Sequence, residues 1–221
     1  MPEGLISVNG ESVQTLELLF LTTLIPLMPS ILVMTTSFTR YIISFSFLRT
    51  AMGTQQTPPN IVLIGLALFL TMFTMAPVLD EIKTEAYDPY VAEQISQEEF
   101  VDRASVPLKT FMLNQLETSE LKMFCDMAKV DTPTTNEEAM NLPLKIIIPS
   151  FMTHELKYAF IIGFCLFIPF MLIDIVVSST LMSMGMIMLP PSMISMPFKL
   201  LLFISINGWQ LLFSTLVQSY R

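Results

Sequence analysis

Four ionisable residues sit among or beside long apolar runs in the second half of this 221-residue chain: Glu155, Lys157, Asp174 and Lys199. An unpaired charge at bilayer depth costs at least about 2.5 to 3.5 kcal/mol, so such side chains are expected to pair across helices or subunits. Opposite sign gives Lys199 two sensible partners, Glu155 and Asp174. Lys157 is better suited to snorkelling, with its methylene stem in the apolar layer and its ammonium at the interface. A second cluster is built of thioethers: Met182, Met184, Met186, Met188, Met193 and Met196 fall within fifteen residues. Side chains two apart lie on opposite sides of a helix but on one side of an extended loop. Gly185 and the pair Pro190-Pro191 favour the loop. Repeated around an axis, flexible thioethers could close an orifice and deform around what passes; the alternative is ordinary apolar filling.

Enzymatic signals are missing from the sequence. It has no phosphate-cradling Gly-rich loop, no G-x-S-x-G, no H-E-x-x-H and no paired C-x-x-C, so no catalytic residue, metal site or cofactor is expected. His154, the single histidine, reads as a polar boundary residue rather than a ligand or base, and Cys125 and Cys165 as free apolar side chains.

The elements that position these residues are those of a membrane protein. Hydrophobic residues make up 52% of the chain and charged residues only 14%, against about 25% in soluble domains. The net charge of -8 argues against nucleic-acid binding, and all of it is carried by residues 80–145. The chain therefore divides into an apolar helical hairpin over 1–79, an acidic helical insert over 80–145 and a second apolar hairpin over 146–221, an all-α architecture. Every apolar stretch is flawed against the roughly 20 residues needed to cross a bilayer. Leu16 to Met34 holds Glu17, Pro26 and Pro29; Tyr41 to Leu48 is short; Ile61 to Leu79 holds Pro77; Tyr158 to Ile173 stops at Asp174; and Ile175 to Phe198 is broken by Gly185 and three prolines before the uncharged run Leu200 to Tyr220.

The two hairpin tips share the frame M-G-x4-P-P-[N/S], at Met52 to Asn60 and Met184 to Ser192. In each, glycine can end one helix at positive φ, proline cannot continue it, and Asn60 or Ser192 can cap or lead into the next. Gly53, Gln55, Gln56, Pro58, Pro59 and Asn60 make up the first tip, and duplication or convergence on one turn chemistry both explain the match. Arg40 and Arg49 flank the first tip while the insert has no excess of Lys or Arg, which places the tips in the cytoplasm and the insert outside. No Lys or Arg precedes Leu16, so Met1 to Thr15 does not read as an intact signal peptide. Within the insert, Ser96 with Glu99 and Thr135 with Glu138 are capping boxes, and Thr118 or Ser119 is a further cap. The insert either packs on itself or offers an oligomer interface.

Taken in order, several motifs resemble the bacterial FliP family, the export-gate protein of flagellar type III secretion. They are Thr36-Ser37-Phe38-Thr39-Arg40, Gly53 through Asn60, Ala86-Tyr87-Asp88-Pro89-Tyr90, Glu155-Leu156-Lys157, and Pro197-Phe198-Lys199 through Asn207-Gly208-Trp209. The Thr-Ser-Phe-Thr-Arg form is closer to the flagellar than to the injectisome branch. The resemblance implies a non-enzymatic pore subunit at the bacterial inner membrane and its periplasmic side, in the flagellar basal body. About five copies would assemble helically with FliQ and FliR beneath the rod. FlhA and FlhB would be neighbours and unfolded flagellar polypeptides the cargo. The family's methionine triplet at the constriction maps to Met186, Ile187 and Met188, with Met184 beside it and the middle position departing from the pattern. A different class of function also fits broken apolar segments with Asp174 and Lys199: a secondary transporter with a midplane ion site.

Overall fold

A computed structural model describes residues 29–186 and 188–220, together with 6–8, 11–13, 22 and 26. Most of Leu16 to Met34 lies outside the described residues. Among the described residues the architecture is all-α, apart from two antiparallel strands in which Ile6–Val8 pairs with Glu11–Val13.

Helix α1 (Pro29–Thr35) meets α2 (Phe38–Met52) at an 84° bend. Hydroxyls line the bend: Thr36 Oγ1 donates to the Leu32 carbonyl at 2.6 Å and Thr39 Oγ1 to Val33 at 2.9 Å, two carbonyls of the last turn of α1, while Thr35 Oγ1 bonds back to Ile31 at 2.9 Å. Gly53 ends α2 at φ +75°, a left-handed conformation that costs glycine little. Helix α3 (Asn60–Ile82) then starts with Pro59 as its N-cap. Asn60 is thus the first helical residue rather than the cap, and its Oδ1 instead accepts a hydrogen bond from Arg49 Nη1 at 2.5 Å, closing the tip.

The expected boundary at residue 79 is not a break in structure. A five-residue π-helical turn, Lys83–Tyr87, carries α3 into α4 (Asp88–Val91), giving one helical run Asn60–Val91. In the insert, α5 (Gln97–Gln115) is capped by Ser96, whose Oγ accepts the Glu99 N–H at 3.2 Å. The next helix, α6 (Thr118–Ala128), is capped by neither Thr118 nor Ser119. Glu117 adopts the extended N-cap conformation one residue earlier and forms a reciprocal box with Glu120, which accepts the Glu117 N–H at 2.9 Å. Thr135 caps α7 (Asn136–Met140).

Helix α8 (Leu144–Ser183) is 40 residues long and contains both Pro149 and Pro169. It passes straight through Asp174, where a helix end was expected, because Asp174 finds partners on α9 (Pro191–Ser205). At about 1.5 Å per residue α8 spans about 60 Å, twice a hydrocarbon core of about 30 Å. The last helix, α10 (Gly208–Gln218), follows α9 across a 63° bend. Among the described residues, Asn60–Val91 and Leu144–Ser183 are long and apolar enough to cross a membrane, and the two bent pairs extend that number to four if each is one span.

Among the described residues, two apolar cores hold the helices. One joins α2, α3, α8, α9 and α10 through Phe45, Leu48, Leu63, Phe170, Phe203 and Leu216. The other seats the insert on the start of α8 through Met75, Phe111, Met112, Leu121, Ile147 and Phe151. Large apolar side chains remain outside both, among them Phe69, Phe73, Phe164, Leu172 and Leu201. Surface of that extent requires lipid or other subunits to cover it.

Candidate functional site

Helices α2 and α8 run side by side in the same direction. Arg40 meets Glu155, Phe47 meets Phe160 and Phe167 at ring-centroid distances of 5.2 and 6.2 Å, and Ala51 lies beside the Lys199 that holds Asp174. Both tips therefore leave the same end of the bundle. Beyond Asp174, α8 continues for nine residues to Ser183, so the methionine tip projects about 13 Å further than the point where Lys199 grips it.

Three charge clusters fix this arrangement, each between elements distant in sequence. Lys199 Nζ lies 2.7 Å from Asp174 Oδ2 and donates to the Ala51 carbonyl at 3.0 Å, while Ser195 Oγ donates to Asp174 Oδ1 at 2.6 Å. The Ala51 carbonyl is one of the last in α2, which has no intrahelical partner, so the ammonium both ties α8 to α9 and caps the negative end of α2. Of the two partners that sequence left open for Lys199, the chain brings it to Asp174.

Glu155 is instead gripped by Arg40, with both side chains essentially without exposure. The contact is bidentate: Arg40 Nε donates to Oε2 at 3.1 Å and Nη2 to Oε1 at 2.5 Å. Arg40 Nη1 donates to Ser219 Oγ at 3.0 Å, and the Tyr220 hydroxyl donates to Glu155 Oε2. A buried carboxylate so fully hydrogen-bonded offsets the cost of removing both charges from water, and removing either partner costs about 3 to 5 kcal/mol. Within one chain, then, Glu155 and Lys199 belong to different clusters.

Lys157 does not simply reach for an interface. Its ammonium lies 2.7 Å from Glu117 Oε2 and 3.1 Å from Glu120 Oε1, joining the insert to α8. The hydrogen bond from Lys157 holds the Glu117 carboxyl below the usual carboxylate range. His154 is buried beside them, its Nδ1 3.2 Å from Glu120 Oε2 and its ring stacked on Tyr158. Ligand atoms of Glu117, Glu120 and His154 lie within 4.8 Å of one another, a spacing that suits a metal ion, but the Lys157 ammonium already serves both carboxylates as their cation. Cys125 is buried in the insert, which pushes its thiol up, and both Cys125 and Cys165 are free.

The two tips share chemistry but not register. Gly185 stands at φ +73° like Gly53, and the Gly185 and Met186 amides close the end of α8 on the carbonyls of Met182 and Leu181 at 3.0 Å each. Here Pro190 is the N-cap and Pro191 the first helical residue, whereas the first tip uses Pro59 as cap, so neither Ser192 nor Asn60 caps. Gln55 reaches φ +50°, and Gln56 and Pro58 complete the first tip, where Arg49 Nη1 donates to the Pro58 carbonyl at 3.3 Å. Met184 and Met186 are exposed and Met188 is 96% exposed; Ile187 lies outside the described residues.

Arg40, Ser195, Glu117, Glu120 and the pair Ser219 and Tyr220 were not picked out by sequence. Arg40 met the criterion that selected Glu155, an ionisable residue beside an apolar run, but its position at a hairpin assigned it to topology. Nothing in the sequence marks Tyr220.

The profile of the FliP family matches residues 21–216 of the chain. The flagellar biosynthetic protein FliP of Aquifex aeolicus is 48% identical over 213 residues, covering 96% of this chain and 89% of that protein. Its Bacillus subtilis counterpart is 50% identical over 206 residues, 93% and 92% of the two chains. Against the protein of the same name from Buchnera aphidicola of Acyrthosiphon pisum, at 48% identity, the chain spans about half the relative's length, 54%.

Proposed function

Because the chain belongs to the FliP family, we propose that it is a pore-forming subunit of the flagellar protein-export gate. As a FliP protein it is a membrane component of the flagellar export apparatus. In the proposed reading about five copies, with FliQ and FliR, surround a channel at the bacterial inner membrane and its periplasmic side, beneath the rod. FlhA and FlhB adjoin it, and unfolded flagellar polypeptides are its cargo.

The observation that carries this reading is the exposed methionine tip held about 13 Å beyond the Asp174–Lys199 contact. Among the described residues, these exposed thioethers at the end of a 40-residue helix belong to neither apolar core. Brought together around an axis, Met184, Met186, Ile187 and Met188 form an apolar constriction that blocks ions by dewetting, since an ion entering it loses hydration and gains no ligand. An unfolded polypeptide deforms the same side chains and passes. No residue acts as a catalyst: the charge clusters align the hairpins so that every copy presents its tip in the same orientation relative to its own bundle. A transporter with a midplane ion site gains no support, because Asp174 is already committed to Lys199 and Ser195.

Met188→Cys in the assembled complex, with Cys165 replaced by serine, tests the placement. Oxidation is expected to link neighbouring copies into dimers, and a fully assembled complex that yields no linked product contradicts a tip gathered at an axis.

A further inference from the structure

We propose that Tyr220 is a latch that couples the docking of α10 to the seating of the insert on α8. The segment after α10 turns across the junction of α2 and α8. Its Ser219 accepts from Arg40 Nη1 through both Oγ, at 3.0 Å, and the backbone carbonyl, at 3.4 Å. The Tyr220 hydroxyl donates to Glu155 Oε2 and lies 3.5 Å from the Ser37 carbonyl. The Tyr220 ring lies 3.9 Å from the Arg40 guanidinium carbon, stacks on Phe111 of α5 with centroids 6.0 Å apart, and meets Tyr41 of α2 edge-on at 5.7 Å. One side chain thus touches α2, α8 and the insert, and it packs against both apolar cores.

The chemistry makes this contact conditional rather than merely tight. Arg40 satisfies two of the roughly four lone-pair sites of the Glu155 carboxylate, and Tyr220 supplies a further donor that water cannot replace at a site with no exposure. The ring also has somewhere to go. Tyr220 lines a partly open cavity of about 460 Å³ with Pro77, Glu81, Thr110, Asn114 and Ser219, where its hydroxyl can be solvated without unfolding either core. When the latch opens, Glu155 loses a donor and Phe111 loses its stacking partner together, so α10 and the insert loosen as one unit. This holds whatever passes the methionine tip and does not rest on the export reading.

Amide hydrogen exchange on the full chain in detergent, followed separately in α5 and α10, tests it with Tyr220→Phe, Glu155→Gln, the double change and Ser219→Ala. Tyr220→Phe keeps the ring and removes only the hydroxyl. Exchange around Phe111 and in the last turn of α10 is expected to rise together, roughly tenfold, the usual scale for losing a hydrogen bond to a charged group. Adding Tyr220→Phe to Glu155→Gln should raise exchange by clearly less than it does in the wild-type background, since the hydroxyl acts through that carboxylate. Ser219→Ala, which leaves the ring seated, should keep α5 at wild-type protection. The latch is overturned if Tyr220→Phe loosens α10 alone, if the two changes are fully additive, or if Ser219→Ala exposes α5 as much as Tyr220→Phe does.

Discussion

At the scale of single residues, charge in an apolar setting was legible in kind but only partly in partner. Glu155, Asp174 and Lys199 could be picked out because a lone charge among apolar residues demands compensation, and that demand needs no structure to see. Which partner each finds is a matter of three-dimensional register. Arg40 lies 115 residues from Glu155, and neither the helical period nor the identity of the residues encodes a contact of that separation. The clusters found here make a sharp expectation for Lys199. Lys199→Glu places two acids together against the end of α2, and should abolish assembly. Adding Asp174→Lys restores an attractive pair of reversed polarity and should recover part of it, whereas adding Glu155→Lys should recover none and also strand Arg40 beside a like charge. Yield of assembled complex from the three variants decides; recovery with Glu155→Lys would mean that a neighbouring copy supplies the partner.

At the scale of elements, the caps at Ser96 and Thr135 and the glycines at the two tips were readable because turn chemistry is local. Helix α8 was not. Asp174 looked like its end, and the partners supplied by α9 let the helix run through that position. The seam between α6 and α8 carries a pH dependence whose sign is fixed. Glu117 is held below the usual carboxylate range in the folded protein by Lys157. Its contribution is therefore complete above the unfolded carboxylate value of about 4.3 and is lost as pH falls through the lower folded value. Exchange of α6 amides, corrected for intrinsic rate, should stay flat from neutral pH to about 5 and rise below about 4. Lys157→Met should raise exchange at neutral pH and flatten the acid response, and an unchanged acid response in that variant would assign it to other carboxylates.

At the scale of the whole molecule, the placement of both tips at one end follows from parallel α2 and α8; of the two arginines used for orientation, only Arg49 stands at the tip, because Arg40 is buried at the other end of α2 against Glu155. With Cys125 and Cys165 replaced by serine, cysteines placed one at a time at Gln55 and Met188 should label from the same side of the membrane, and opposite sidedness would break the arrangement. Composition and charge segregation made the broad class legible, because an apolar chain with an acidic middle has few other solutions. How copies meet was beyond sequence, since the exposed faces of α3 and α8 look alike whether lipid or protein covers them. The central claim is that the methionine tips of several copies close the pore, and ion conductance across membranes containing the assembled complex tests it most directly. Shortening Met186 and Met188 to alanine should leave assembly intact and open a steady ion leak, because the constriction widens and rewets. A normally assembled mutant complex that holds the same ion barrier as the wild type would contradict the account.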